Sequence, residues 1–355
     1  MNTTQRSLAG KRVLIMSPSF FGYENAIAQA VRALGAHAEV VLDKPSNTVW
    51  TKAATRVSPS LVATRMTDYI RSLAEQHGRD SFDEIIVIKG EALHSEAVEL
   101  LRASFPRARC TYYNWDSLRN YPHLTSILPL FDACFSFDVE DCESIEGLAH
   151  LPLFYTDEYR DLPLAEPRYD LFAVASLHSD RYEVIQRVIQ QCPEATRAFT
   201  YFFYPSKIAL VGKKVLEPSF VTPPLREIQW TPLPKDIMID GLVRCRAVID
   251  VQHPRQTGLT MRTIEMVGAN KKLITTNPLV KTYDFYDPNN ILVIDRTQPE
   301  IPPTFFDTDY TPQTEAIRQN YSIHTWLAVL LGLQPVAQYQ RAPSDSPELR
   351  NPAAC

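Results

Sequence analysis

Short apolar runs alternate with amphipathic helical stretches along this chain, and the alternation happens twice. In the first half, residues 12–16 (RVLIM), 39–42 (EVVL), 84–88 (EIIVI), 110–115 (CTYYNW) and 133–137 (ACFSF) have the apolar, β-branched and aromatic make-up of strands. Apolar residues at helical spacing fill the gaps at 25–34, near 61–76 and near 95–104. Strands separated by helices of about 10–15 residues make βαβ units, and therefore parallel sheets with right-handed crossovers. A Pro-rich, acidic stretch at 152–167 (PLFYTDEYRDLPLAEP) then reads as a linker. After it the pattern restarts, with strands at 169–175, 199–204, 247–251, 272–276 and 291–294 and helices at about 180–191, just before 247 and at about 260–268. A helical stretch near 314–333 and a polar tail, 334–355, close the chain. The 355 residues suffice for two domains at about 150 each, so the expectation is two successive Rossmann-like halves.

Composition removes several function classes. With 36 basic and 41 acidic residues the net charge is −5, which leaves no basic footprint for nucleic acid. Only 11 glycines are present, against the roughly 7% of average usage, and no G-x-G-x-x-G follows the first strand. A dinucleotide clamp of the dehydrogenase sort is therefore disfavoured. The P-loop and G-x-S-x-G are missing as well, so ATPase and hydrolase readings lose support. The six cysteines (Cys110, Cys134, Cys142, Cys192, Cys245 and Cys355) form no C-x-x-C and are expected as free, mostly buried thiols. No H-x-x-x-H or other metal-ligand spacing occurs, so no metal and no cofactor are expected. The first dozen residues lack a signal-peptide apolar region. Trp326 with 327–331 fits a core helix better than an interfacial one. The expected compartment is the cytoplasm, with room for peripheral contact at the inner face of a membrane.

In open α/β sheets ligands bind beyond the carboxyl ends of the strands, so the residues just after each strand are the ones to weigh. After the first strand come Ser19 and Gly22, where a ligand turn and a plain βα turn fit equally. After the third come Lys89, Gly90 and Glu91, a place for a general base or substrate clamp, or for a turn with a local ion pair. The fourth strand ends at Trp115 and Asp116, an aromatic beside a carboxylate, which suits a sugar; capping of the next helix explains Asp116 too. Asp138 after the fifth strand has the same two readings. In the second half, His178 and Arg181 add donors to a helix N-terminus that Ser179 or Asp180 can cap, a fit to pyrophosphate. The most specific segment is 250–265, DVQHPRQTGLTMRTIE. There His253, Gly258, Thr260 and Arg262 crowd one strand-to-helix junction, and Glu265 lies within reach of a ribose beside bound phosphates. Gly22, Gly90, Gly258 and Gly268 fall in or beside these segments.

Taken together, the blocks SPSFFGYE (17–24), IKGE (88–91), YYNWDS (112–117), FDACFSFDVED (131–141), PLFY (152–155), HSDRY (178–182), HPRQTGLTMRTIE (253–265), GANKKLITTN (268–277) and YDFYDPNNI (283–291) are similar to a known family. The chain resembles bacterial GT-B-type glycosyltransferases of capsule, lipopolysaccharide and exopolysaccharide biosynthesis, and more distantly the CgeB-like glycosyltransferases. The resemblance runs from the first strand to about residue 330. It implies an α/β GT-B fold, two Rossmann-like domains with parallel sheets facing across a cleft. An acceptor-side domain would span 1–155, a donor domain 156–312, a helix at 313–333 would cross back onto the first domain, and 334–355 would be a flexible tail. It implies that Glu265 binds the donor ribose and that Thr257, Gly258, Leu259, Thr260 and Arg262 lie near the phosphates, with His178, Arg181 and His253 beside them. On the acceptor side it points to Glu91 first and Asp116 second as catalytic carboxylate, with Ser19, Lys89, Trp115 and Asp138 around the acceptor.

The resulting expectation is metal-independent transfer of a sugar from a nucleotide-sugar donor to a surface-glycan or lipid-linked glycan acceptor. Two alternatives stand beside it: a nucleotide-sugar epimerase or hydrolase on the same fold, and a non-catalytic nucleotide-sugar-binding partner in a biosynthetic complex.

Overall fold

The computed structural model describes residues 8–45, 59–160, 162–163, 165–337 and 339, with backbone alone at 59–63. Most of the tail read at 334–355, and Cys355 with it, lies outside the described residues. The chain divides into two units, residues 1–153 with 323–336, and residues 154–322 with 337–355.

The first unit runs β1 (Arg12–Ser17), α1 (Tyr23–Ala33), β2 (His37–Leu42), α2 (Pro59–His77), β3 (Glu84–Ile88), α3 (Ser95–Ser104), β4 (Arg109–Asn114), β5 (Ala133–Ser136), α4 (Val139–Ser144) and β6 (Leu148–His150). Its strands form one six-stranded parallel sheet in the order β2-β1-β3-β4-β5-β6. A parallel sheet covered on both faces demands continuous apolar strands. β3 (EIIVI) is buried at every residue, and β1 at all but Arg12.

The second unit runs β7 (Tyr169–Ser176), α5 (Arg181–Gln191), β8 (Ala198–Phe203), α6 (Lys207–Leu216), β9 (Ile228–Gln229), α7 (Lys235–Val243), β10 (Cys245–Asp250), α8 (Met261–Ala269), β11 (Lys272–Thr275), β12 (Ile291–Val293), α9 (Thr304–Asp307) and α10 (Glu315–Asn320). Its six strands are also all parallel, in the order β12-β11-β10-β7-β8-β9. A central strand flanked by sequential neighbours running outwards on both sides is the doubly wound arrangement of a nucleotide-binding Rossmann sheet. Each unit is thus the α/β, parallel-sheet structure that the alternation predicts. β6 and β9 were not foreseen, because two or three residues carry no readable periodicity.

The helical stretch read as one element near 314–333 is two helices: α10 stays with the second unit, and α11 (Ile323–Leu330) belongs to the first. Trp326 is buried edge-to-face on Tyr113, with ring centroids 4.9 Å apart. Arg109 Nη1 donates to the Leu330 carbonyl at 2.7 Å. The Trp326 segment is therefore core. No described helix is long and apolar enough to cross a membrane.

One glycine changes its meaning. Gly268 lies in the last turn of α8, and a Cβ built there would stand 2.5 Å from the Tyr155 ring. It is a packing glycine that lets the helix approach Tyr155, rather than a ligand-facing one. In an open helix, Gly→Ala stabilises by up to about 1 kcal/mol. Here the sign should reverse: Gly268→Ala is expected to destabilise by about 1–3 kcal/mol through overpacking. Urea unfolding checks it, and a stabilised variant would show that Tyr155 has room to move.

Candidate functional site

Strand order reverses once in each sheet, between β1 and β3 in the first unit and between β7 and β10 in the second. Most of the residues expected from sequence in the second unit stand at that reversal, whereas in the first only some do. In the second unit the switch point lies between β7 and β10. The loop leaving β7 turns through Ser179, whose φ of +46° is uncommon for a non-glycine residue. Its hydroxyl lies 3.1 Å from His178 Nδ1. Arg181, the first residue of α5, folds its guanidinium back across the two strand ends. Nε donates to the Val251 carbonyl at 2.7 Å and Nη1 to the Ser176 carbonyl at 3.3 Å. Burial pulls its pKa down to about 10, with Asp250 opposing and Arg296 and Arg262 adding to the fall.

The loop leaving β10 is organised by Asp250. Its Oδ2 accepts the hydroxyls of Thr260 and, at 3.0 Å, Thr263, while Thr260 Oγ1 caps α8 by accepting from the Thr263 N–H. Arg262 and Glu265 pair at 2.8 Å one turn apart, and Glu265 is only 1% exposed. The Tyr159 hydroxyl also bonds Glu265, which with burial raises the Tyr159 pKa. His253 stands with its ring centroid 5.4 Å from that of His178. Burial, Arg181 and His253 depress His178 to about 3, and burial with Arg255 and Arg181 lowers His253, so neither gains charge near neutrality. Thr257 and Gly258 contribute carbonyls that accept from Asn277 Nδ2 at 3.0 and 3.3 Å. Leu259 buries its side chain, leaving only its backbone for a ligand.

Two details depart from the sequence reading. Neither Ser179 nor Asp180 caps α5 through its side chain. Asp180 instead binds Arg296 at 2.6 Å. Arg296 itself was missed; it also donates to the Gln252 carbonyl at 2.9 Å and to Thr276 Oγ1 at 3.3 Å, tying the ends of β10, β11 and β12 together. It stands just past the carboxyl end of β12, so the strand-end rule extends to it.

In the first unit the switch point lies between β1 and β3. Beyond β3 the backbone takes two left-handed residues in a row, Lys89 at φ +65° and Gly90 at φ +62°. Gly90 is needed there, since a Cβ would stand 2.7 Å from Leu93 Cδ1. The turn aims Lys89 Nζ between Glu91 Oε2 at 3.1 Å and Asp116 Oδ2 at 3.4 Å, over the Tyr121 ring. Lys44, just past β2, binds the other oxygen of Glu91, and Tyr121 donates to Oε2 at 3.3 Å. Burial works against the Glu91 charge, but Lys89 and Lys44 overrule it and hold its carboxyl at about 2. So saturated a carboxylate is a weak base, and its position suits holding the two lysines. Asp116 is more open, accepting from the Ser117 N–H at 3.0 Å and Asn120 Nδ2 at 3.1 Å. Trp115 lies beside an exposed Phe20, 6.2 Å between centroids. Ser19 spends its hydroxyl on Glu24, 3.1 Å away. Asp138 is buried and caps α4 through Oδ1, the structural one of its two readings.

Asp43, at the end of β2, was also missed. It is fully buried beside the lysine cluster, and among the described residues neither carboxylate oxygen finds a hydrogen-bond donor. Burial raises its pKa to about 6, with Lys44 opposing and Glu91 adding. Among the described residues no group of His, Cys, Asp and Glu is arranged to hold a metal ion.

No family model and no curated protein matches this sequence. Solved structures do match the fold. HepE from Anabaena, crystallised with UDP-glucose, covers 91% of this chain and 98% of its own, at 9% identity and a TM-score of 0.54. A glycosyltransferase from Rickettsia africae covers 91% and 97% at 11% identity and TM-score 0.53. OtsA covers 92% and 100% at 12% and 0.56. The chain thus has the fold of GT-B glycosyltransferases, α/β in two Rossmann-like units.

The carboxyl of Asp43 supplies a pH prediction with a definite sign. Its folded pKa lies above the unfolded value near 3.8, so the folded state retains the proton longer as pH rises. Stability from this group is therefore highest below about pH 4 and falls as pH rises through 6, by up to about 3 kcal/mol. Asp43→Asn should remove that fall. Urea unfolding at pH 4 and 7 checks it: wild type and variant should differ in their change between the two pH values, and parallel profiles would disprove the assignment.

Proposed function

We propose that this protein transfers a sugar from a nucleotide-sugar donor to a glycan or lipid-linked glycan acceptor of a bacterial surface polysaccharide. The observation that carries the reading is the switch point of the second unit. Arg181, Arg262 and Arg296 converge there with the N-terminus of α8 at the place where a Rossmann sheet accepts a nucleotide. HepE, of like fold, is seen with UDP-glucose, which is in keeping with it.

In this reading the diphosphate lies against the α8 N-terminus between Arg181 and Arg262, with backbone donors from 257–260 and the neutral imidazoles of His178 and His253 alongside. The ribose diol is taken by Glu265, which shifts part of its bonding from Arg262 to the sugar. As the glycosidic bond to phosphate breaks, negative charge grows on the diphosphate, and fixed arginines stabilise it more than they stabilise the ground state. The proposal requires no resident metal or cofactor, because these side chains supply the positive charge.

In the first unit, the exposed Phe20 and the half-buried Trp115 offer an apolar wall to a sugar ring, and the Lys89–Asp116 pair offers a donor and an acceptor to its hydroxyls. With Glu91 committed to two lysines, we assign the deprotonation of the acceptor hydroxyl to Asp116 and a positioning role to Glu91.

A thermal-shift panel of UDP, GDP, dTDP, CMP and their sugars should single out one nucleotide, since a ligand of the native state raises stability with the logarithm of its concentration over Kd. Against that ligand, Glu265→Gln should weaken binding about tenfold or more while the chain stays folded. Asp116→Asn should leave donor binding intact and lower kcat by roughly 10²–10⁴. Unaltered donor binding in Glu265→Gln would overturn the donor-site assignment. Product formed from donor alone would move the protein to the epimerase or hydrolase class.

A further inference from the structure

The helix α6 wears its apolar face outwards. Its sequence, KIALVGKKVL, buries only Leu210, while Ile208, Val211, Val215 and Leu216 are 86%, 64%, 73% and 79% exposed. At 100° per residue these four spread around Gly212 on the side opposite Leu210, making one continuous stripe. A surface helix of a globular protein has the reverse arrangement. Isolated exposed apolar residues mean little, but a stripe of four β-branched or leucine side chains on one helix marks an interaction surface.

The charges on the same helix say what kind. α6 holds three lysines, Lys207, Lys213 and Lys214, and no acidic residue, in a chain of net charge −5. Lys207 and Lys214 flank the stripe on one side. On the other, Lys213 pairs with Glu217 just beyond the helix at 2.5 Å. Lys207 Nζ rests over Trp230 and Lys213 Nζ over Phe220, so their stems follow the protein surface and leave the apolar stripe proud of them.

We propose that α6 is a docking helix for an anionic lipid surface. Its apolar stripe enters the boundary between headgroups and acyl chains, and its flanking lysines meet the lipid phosphates. An apolar strip with lysines beside it is the pattern that binds in the plane of a bilayer, where apolar burial and attraction to anionic lipid add. The inference does not depend on the transferase reading, and its test uses no sugar chemistry.

Sedimentation with sucrose-loaded vesicles provides that test. The full-length protein should bind vesicles of phosphatidylcholine with about 30% phosphatidylglycerol on the order of tenfold more tightly than phosphatidylcholine alone. Ile208→Ser with Val215→Ser should cut binding to the anionic vesicles by about tenfold or more. Lys207→Gln with Lys214→Gln should also lower it, by about fivefold per lysine, and high salt should mimic this lysine variant. All of these positions are on the surface, so circular dichroism and unfolding midpoints should match wild type. Vesicle binding that is absent, or indifferent to both double variants, overturns the proposal. Light scattering covers the rival occupant: a wild-type dimer that Ile208→Ser with Val215→Ser makes monomeric would assign the stripe to a second copy of the chain and overturn the proposal as well.

Discussion

The constraint on which everything else rests is parallel strand pairing in sheets that are covered on both faces. The interior of a strand such as β3, where residues 85–88 are all apolar and buried, can host no polar chemistry, because each unpaired buried polar group would cost on the order of 1–3 kcal/mol; its one carboxylate, Glu84, stands at the amino end. The chemistry is pushed out to the strand ends. Of those, the carboxyl ends are favoured, since there the chain turns into helix N-termini with free N–H groups. Strand order then selects among the ends. Where it reverses, between β1 and β3 in one unit and between β7 and β10 in the other, two crossovers leave for opposite faces and open a crevice. Lys89 and Glu91 in the first unit, and Arg181 and Asp250 in the second, sit at those reversals.

The two crevices handle charge in opposite ways. In the first unit, one carboxylate, Glu91, is shared by Lys44 and Lys89, and Lys89 reaches on to Asp116. Pairing with two lysines fixes Glu91 in place at the expense of its reactivity, as its carboxyl near 2 illustrates, whereas Asp116 at the end of the chain meets only Lys89 among these cations. In the second unit the carboxylates serve as anchors for cations and hydroxyls: Asp180 for Arg296, Asp250 for two threonines, Glu265 for Arg262. Arg181 is held instead by two backbone carbonyls. An arginine positioned by neutral acceptors keeps its full charge available, whereas one matched to a carboxylate has to exchange partners to take a ligand.

The strands and the long helices were legible because periodicity and apolar content are local properties, and β3, β7 and β10 show them within five to eight residues. The strand-end rule likewise brings His178, Arg181, His253, Thr260, Arg262 and Glu265 to one place from sequence alone. What was not legible depends on distant partners. Nothing in the local sequence says that Lys44 will meet Glu91, 47 positions on, or that Asp43 will be buried with no donor among the described residues. Arg296 is as invisible locally, since its partners come from the ends of three other segments. Gly268 shows the opposite error: its closeness in sequence to a site loop suggested a ligand, and its place in space is against Tyr155. Caps were ambiguous for a similar reason, because Asp138 and Asp180 look alike in sequence, yet one binds a backbone N–H and the other an arginine.

The outward stripe of α6 belongs to the same logic as the crevices. α6 comes after β8, the neighbour of β7, so it begins at the same carboxyl edge as the arginine cluster, and the Lys213 charge contributes to lowering the His178 pKa. A helix at that edge need bury only enough to hold it, here Leu210, and its outer face is free of core packing. On such a face, four large apolar residues gain nothing for the folded unit and cost solubility. Their free energy is recovered only when another surface covers them. Whatever covers α6 must therefore come up to the carboxyl edge of the second sheet, and Lys207 and Lys214 beside the stripe favour a negatively charged one.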